Sequence, residues 1–304
     1  MGYDVAFFTE AGFDRGMGHL VRTYSIYSYF KNNKYNTSFF LDSNINYDYK
    51  FKDLNYIKFD KLSYCIKYEI VFIDSYTIDI NTYINLLSIT KLLIVIDDYH
   101  RIQYPKESII LNFAPDAKEK FINSNYFGYL LGLKYMPLRK NLIDIKKKSL
   151  EKENFIFIIL GGNDILNLNQ KILNLLGNNI KKVIVHNNGT VLNIDKNTII
   201  LKKPNDDLLL SYMSKAKYAI STASMSLYEL NFFQIPTIAI PIVENQIQGI
   251  VEFKQYNILN EYVELSNIQK VSLLKLLDKL PQNNISVIPN NGIENIKNKI
   301  EGYL

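Results

Sequence analysis

The segment Gly16-Met17-Gly18-His19-Leu20-Val21-Arg22 holds the residue types best suited to chemistry. Glycines there let the backbone turn tightly and approach an anion at a helix N-terminus. Val21 stands where a dinucleotide fingerprint has its third glycine, and no Gly-Lys-Ser/Thr follows. Neither a G-x-G-x-x-G motif nor a P-loop is therefore present. His19 remains. An imidazole titrates near neutrality and can take a proton from water at pH 7. The same histidine would equally serve to cap or pack a helix start. A second candidate is Leu160-Gly161-Gly162-Asn163-Asp164, whose backbone N–H groups suit phosphate oxygens or make an ordinary strand–helix turn. The third is Ser221-Thr222-Ala223-Ser224-Met225-Ser226-Leu227-Tyr228-Glu229, with Pro236 beyond it. Its small hydroxyl residues suit a helix N-terminus and an anion there. Glu229 falls one to two turns inside that helix, where it either accepts from both hydroxyls of a ribose or lies exposed on a capped surface helix.

Other residues read as structural. Asp97-Asp98, before His100 and Arg101, is a paired carboxylate that could be catalytic, but without a metal partner it reads as a polar strand end that holds a loop. His186 lies in a polar stretch and reads as a solvated loop residue, and Cys65 as a small buried one.

These residues need elements to position them. Short apolar runs at Val5–Phe8, Ser38–Leu41, Ile70–Ile73, Leu92–Ile96, Ile109–Asn112 and Gly128–Leu131 read as buried parallel strands. Most are followed by a segment of helical period. The charged stretch Asp144–Asn154 reads as a linker, or a helix followed by one. A second series then runs through Phe155–Leu160, Lys182–Val185, Thr198–Leu201, Tyr218–Ser221 and Thr237–Ile240. Alternating strand and helix predicts an α/β fold. Two Rossmann-like domains facing a cleft follow, with boundaries at 1–145 and 152–304. Ligands in such sheets bind beyond the carboxyl ends of the strands.

Composition narrows the functional classes. At 304 residues the chain is long enough for two domains, each with its own core. One Cys excludes an internal disulfide, and no Cys/His pair has zinc-site spacing. No apolar run spans a bilayer, and the N-terminus lacks the cationic region of a signal peptide. The formal charge of +5 comes from scattered lysines, and only Arg15, Arg22, Arg101 and Arg139 are arginines. That is not the concentrated stripe of a nucleic-acid binder. The expectation is a cytoplasmic monomer with no membrane span, no nucleic-acid partner and no metal.

The motifs in order resemble a known family, the UDP-2,4-diacetamido-2,4,6-trideoxy-β-L-altropyranose hydrolase of pseudaminic acid biosynthesis. Gly16-Met17-Gly18-His19 with Arg22 is similar to its Gly-x-Gly-His-x-x-Arg loop. Asp74-Ser75-Tyr76 stands where the family usually reads Asp-His-Tyr. Ile96-Asp97-Asp98 and Leu111-Asn112 come next. Leu131-Gly132-Leu133-Lys134-Tyr135-Met136-Pro137-Leu138-Arg139 looks like its Leu-Gly-x-x-Tyr-x-x-Leu-Arg. Gly161-Gly162-Asn163-Asp164 with Asn167-Leu168, then Glu229, Pro236 and Glu244-Asn245-Gln246, complete the series. Phe8, Glu10, Gly12 and Arg15 depart from the family's Arg-x-Asp-x-Ser and the apolar residue after it, and Tyr228 stands where Trp is frequent.

The resemblance implies a GT-B-like fold and a small-molecule nucleotide sugar as partner, with no cofactor. It implies diphosphate at Gly161, Gly162, Ala223 and Ser224, ribose at Glu229, and Lys203-Pro204-Asn205 by the uracil. Asn245 and Gln246 would also contact substrate. The sugar would face Gly16, Gly18 and Arg22, with His19 and Tyr76 as the catalytic pair. His19 would activate water for attack at the anomeric carbon, and UDP would leave with inversion. A transferase of the same fold, moving the sugar to a surface-glycan acceptor, is the alternative. A non-catalytic nucleotide-sugar binder is the third reading.

Overall fold

The computed structural model describes residues 3–12, 15–148, 151–161, 166–187 and 190–304. Two units are present. One comprises Met1–Lys140 with Pro289–Leu304, and the other Asn141–Ile288.

The first unit is built on seven parallel strands: β1 (Asp4–Glu10), β2 (Asn36–Asp42), β3 (Asn55–Tyr56), β4 (Tyr68–Asp74), β5 (Thr90–Ile96), β6 (Ile109–Asn112) and β7 (Gly128–Leu131). Their order is β3-β2-β1-β4-β5-β6-β7. Helices α1 (Gly18–Asn32), α2 (Ile80–Ser88) and α3 (Ala117–Lys120) belong to it. The central strands are apolar along their length because both faces are covered. Ala6, Phe8, Val71, Ile73, Val95 and Ile110 share one cluster with Tyr83 and Leu86 of α2. On the other face Phe7 stacks on Phe72 at 4.8 Å and meets Tyr27 and Phe30 of α1 edge-on at 5.7 and 6.0 Å. Full burial of a side chain such as Phe7 contributes roughly 1.5–3 kcal/mol. These rings fix α1 over β1 and β4.

The second unit has six parallel strands: β8 (Glu153–Ile159), β9 (Lys182–Val185), β10 (Thr198–Leu201), β11 (Ala216–Thr222), β12 (Thr237–Ile240) and β13 (Glu261–Tyr262). Their order is β10-β9-β8-β11-β12-β13. The helices are α4 (Lys140–Lys146), whose first residue still belongs to the first unit, then α5 (Leu168–Leu176), α6 (Asp206–Lys215), α7 (Met225–Phe232), α8 (Glu244–Gln255) and α9 (Leu273–Lys279). One cation closes two helix ends. Lys152 Nζ donates to the carbonyls of Ser214, in the last turn of α6, and Phe233, just past α7, at 2.8 and 3.0 Å. Burial, with Lys146 beside it, pulls this ammonium down to about 8.

All eleven apolar runs read from the sequence are strands. The two-residue edge strands β3 and β13 were not among them. The terminal segment differs from expectation, since residues 289–304 join the first unit rather than extending the second to 304. Helix α10 (Gly292–Glu301) has its buried face at Gly292, Ile293, Ile296 and Ile300. Asn295 donates to the Lys134 carbonyl at 2.7 Å. A Cβ on Gly292 would lie 2.0 Å from the Met136 carbonyl oxygen. Gly292→Ala is therefore expected to destabilise the protein by about 2–3 kcal/mol through overpacking against backbone. Urea unfolding checks this, and an unchanged midpoint would contradict it.

Candidate functional site

Strand order reverses between β1 and β4 in the first unit, and between β8 and β11 in the second. Doubly wound sheets bind ligands beyond the strand carboxyl ends at such points. The first candidate loop follows β1. Gly12 and Gly16 pair across it, with N–H···O distances of 3.2 and 2.9 Å. Gly16 has φ +68°, which a side chain would strain. Helix α1 begins at Gly18.

The buried stripe of α1 explains why chemistry collects here. It runs through His19, Arg22, Thr23, Ile26, Tyr27 and Phe30, at the spacing of one helix face. Its last members are apolar and sit on the sheet. Its first three are polar, and they meet Asp74, the last residue of β4. His19 Nδ1 lies 2.6 Å from Asp74 Oδ1. Arg22 donates to both oxygens, from Nε at 2.6 Å and Nη2 at 2.7 Å. The Thr23 hydroxyl donates at 2.9 Å. Four donors thus fill one fully buried carboxylate. Burial pushes this carboxyl up, but Arg22 and then His19 outweigh it and hold it well below the usual carboxylate range. An ionised Asp74 only accepts, so the bond is donated from His19 Nδ1, and a neutral imidazole held this way has its lone pair on Nε2.

Arg22 joins a second carboxylate. Its Nη1 donates to both oxygens of Asp98 at 2.9 and 2.8 Å. Burial lowers the guanidinium, yet Asp74 and Asp98 raise it well above its ordinary value. Its carbon also lies 5.3 Å from the centre of the Phe113 ring. The Tyr76 hydroxyl donates to Asp98 Oδ2. Burial and the Asp98 charge push that phenol far above its usual value. Its ring stands edge-on to His19, with centroids 4.3 Å apart. Tyr76 therefore offers a wall rather than an acid.

In the second unit Gly161 (φ +89°) follows β8, beside Thr222 at the end of β11. A Cβ on Gly161 would lie 3.9 Å from Thr222 Oγ1. Thr222 donates to the Ser224 hydroxyl at 3.3 Å, and Ser224 precedes α7 with extended backbone. Gly161, Ala223 and Ser224 are thus at neighbouring strand ends. Glu229 lies one turn inside α7 and is buried, not exposed on a surface helix. Asn205 stands apart, beyond β10 and two strands from β8. Its Oδ1 caps α6 by accepting from Leu208 N at 2.9 Å. Gln246, in α8, accepts from Ile242 N at 3.0 Å. Asn245 is in the same helix, and its side chain lies outside the description, as does Gly162 altogether.

Sequence reasoning weighs the Asp97-Asp98 pair but favours a structural reading, and it does not single out Asp74 as a site residue. Asp97 is the loop-holding carboxylate, accepting from Tyr99 N, Arg101 N and the Tyr104 hydroxyl. His186 is buried between Asn169 and the Thr190 carbonyl, not solvated. Cys65 is exposed, not buried. Glu10 contacts two other departures from the resembled pattern, Ser75 and Arg15. Among the described residues no His, Cys, Asp and Glu cluster is arranged to hold a metal, and no helix is long and apolar enough to cross a membrane.

No family model matches the chain. A pseudaminic acid cytidylyltransferase and UDP-2,4-diacetamido-2,4,6-trideoxy-β-L-altropyranose hydrolase of Helicobacter pylori is 30% identical over 191 residues, 62% of this chain and 37% of that protein. An uncharacterized protein of Methanocaldococcus jannaschii is 26% identical over 279 residues, 80% of this chain and 56% of its own. The chain thus spans about a third to a half of the curated relatives it matches. Among solved structures, MurG of Acinetobacter baumannii superposes with TM-score 0.60 at 12% identity, covering 99% of both chains. The UDP-GlcNAc 2-epimerase of M. jannaschii, in complex with UDP-GlcNAc and UDP, gives 0.62 at 11% identity over 100% of both. The S. aureus MnaA–UDP structure gives 0.63 at 10%, covering 100% of this chain and 97% of that one. At such identities the likeness concerns the fold alone, and the fold is GT-B-like, with two parallel-sheet Rossmann-like domains.

Proposed function

We propose that the chain hydrolyses a UDP-linked 2,4-diacetamido-2,4,6-trideoxyhexose at the anomeric C–O bond, releasing UDP and the free sugar for nonulosonic (pseudaminic) acid synthesis. The observation that carries this is the buried Asp74–His19 pair at 2.6 Å, at the switch point of the first sheet. The H. pylori relative, whose name includes that hydrolase, supports the substrate class.

His19 Nε2 takes a proton from water while the water oxygen attacks the anomeric carbon. The bond from that carbon to the UDP oxygen breaks, and its electron pair leaves with UDP. Asp74 stabilises the imidazolium as it forms, and Arg22 keeps Asp74 ionised. A positioned base of this kind contributes roughly 10²–10⁴-fold. UDP is a good leaving group, so the neutral, committed Tyr76 phenol is not needed as an acid. Within the second unit, Gly161, Ala223 and Ser224 are the candidates for binding a diphosphate and Glu229 for a ribose.

Transfer to an acceptor is the less favoured reading. An acceptor would approach the side where the chain departs from the resembled pattern, yet Phe8, Glu10 and Gly12 there are buried. Only Arg15 among them is partly exposed. The experiment is turnover of the UDP-sugar in ¹⁸O water and, separately, in D₂O. Hydrolysis places ¹⁸O on the anomeric carbon with inverted configuration and leaves the ring C–H bonds unexchanged. Turnover only with an added glycan acceptor, or deuterium at C2 with UDP retained, would refute it.

A further inference from the structure

Glu10 ends β1 and is buried, with about 1% of its surface exposed. A carboxylate in such a place needs donors, and the structure shows where they come from. The Ser75 hydroxyl donates to Oε2 at 2.5 Å and the Tyr76 N–H to Oε1 at 2.9 Å. The Thr77 hydroxyl also donates to Oε2. All three belong to the loop that follows β4. Arg15, from the loop that precedes His19, reaches Oε2 only at 3.5 Å. It reaches Asp42 at 3.3 Å, where Lys58 and Phe59 N are nearer at 3.0 Å. Both carboxylates therefore remain satisfied without Arg15.

His19 is constrained by two contacts. The Asp74 bond holds the imidazole at Nδ1, and the Tyr76 ring packs against it nearly perpendicular, with centroids 4.3 Å apart. Tyr76 is itself held at two points, its hydroxyl by Asp98 and its backbone N–H by Glu10. We infer that Glu10 is a positioning residue of the candidate active site. Its carboxylate fastens loop 75–77 to the end of β1 and so keeps the Tyr76 ring against His19. The kinetic consequence rests on the proposed role of His19 as base. The geometric one does not. Displacing a positioning contact by about 1 Å costs up to 10²-fold in rate.

The test reads the His19 ring directly. The carbon-bound imidazole protons of the full chain are recorded by NMR, with His19→Gln identifying the His19 signals. Tyr76→Leu, which keeps bulk but removes the ring current, defines the shift that the contact produces. Glu10→Ala is expected to move the His19 signals most of the way to their Tyr76→Leu positions, and to lower kcat/KM roughly 10-fold or more. Glu10→Gln still accepts from Tyr76 N and should restore most of the shift. Arg15→Ala should leave the signals where they are. If Glu10→Ala does not fold, the double variant Ser75→Ala/Thr77→Val removes two of the three loop donors instead and should move the same signals part of the way. Signals that stay at wild-type positions in a folded Glu10→Ala or in the double variant overturn the proposal, even if turnover falls. If the wild type does not turn over the UDP-sugar, the functional reading fails while the NMR comparison still decides the role of Glu10.

Discussion

Asp74→Asn lowers kcat by roughly 10³-fold, the largest kinetic effect expected of a single-atom change in this protein. The reason lies in the proton inventory of the pair. An ionised carboxylate accepts from His19 Nδ1 and leaves the Nε2 lone pair available. A carboxamide has one accepting oxygen and one NH₂. Arg22 needs acceptors on both sides of residue 74, from Nε and from Nη2. With the amide oxygen on Oδ2, the NH₂ faces His19 Nδ1 and forces the proton to Nε2, the wrong tautomer for a base. With the oxygen on Oδ1, the NH₂ faces Arg22 Nε and Thr23. Either orientation also removes the negative charge that stabilises the imidazolium. The measurement is single-turnover hydrolysis of the UDP-sugar, with UDP affinity followed separately by calorimetry. UDP binding should change little, because the proposed diphosphate contacts, Gly161, Ala223 and Ser224, are residues of the second unit. A kcat within threefold of wild type would remove His19 from the role of base.

How much of this was legible beforehand follows from what each signal measures. The strands were legible because parallel strands covered on both faces must be apolar throughout, and eleven short apolar runs say so. Edge strands β3 and β13 were not. Asn55–Tyr56 and Glu261–Tyr262 each pair with one neighbour and face water, so their composition carries no mark. The glycine loop and His19 were legible from local spacing. Asp74 and Asp98 were not, because an Asp after an apolar run is ordinary. Their role comes from register, with Thr9 of β1 paired to Asp74 of β4 across 65 residues. The polar start of the α1 stripe was the available signal. A buried His, Arg and Thr on one helix face demand a buried acceptor, and the neighbouring strand end supplies it. Asn205 shows the opposite limit. Its pattern suits a ligand contact and a helix cap equally, and the structure uses its oxygen as the cap. Helix α10 has an amphipathic pattern that says a face is buried but not on which domain.

The largest stability effect is expected at Arg22, and it carries a pH signature. Arg22→Met keeps the bulk but leaves Asp74 buried with only His19 and Thr23, and Asp98 with only Tyr76, of the partners described above. Removing one partner of such a buried network costs about 3–5 kcal/mol, because an uncompensated charge stays in the interior. In the wild type the Asp74 carboxyl is held below its unfolded value, chiefly by Arg22 against the opposing effect of burial. Its contribution to stability is therefore fully present above the unfolded carboxylate pKa, about 3.9, and is lost as pH falls below it. In the variant the balance reverses. Burial without the guanidinium raises the carboxyl above its unfolded value, so protonation relieves the penalty and stability recovers as pH falls toward 4. The gap between wild type and variant should thus be widest at pH 7 and narrow by pH 4–5. Urea unfolding at the two pH values measures it. A gap that is equal at both, or that widens in acid, would mean that Asp74 is not the charge Arg22 compensates. Arg22→Lys separates charge from geometry. One ammonium cannot serve both oxygens of Asp74 and also Asp98, so it should recover only part of the loss at pH 7.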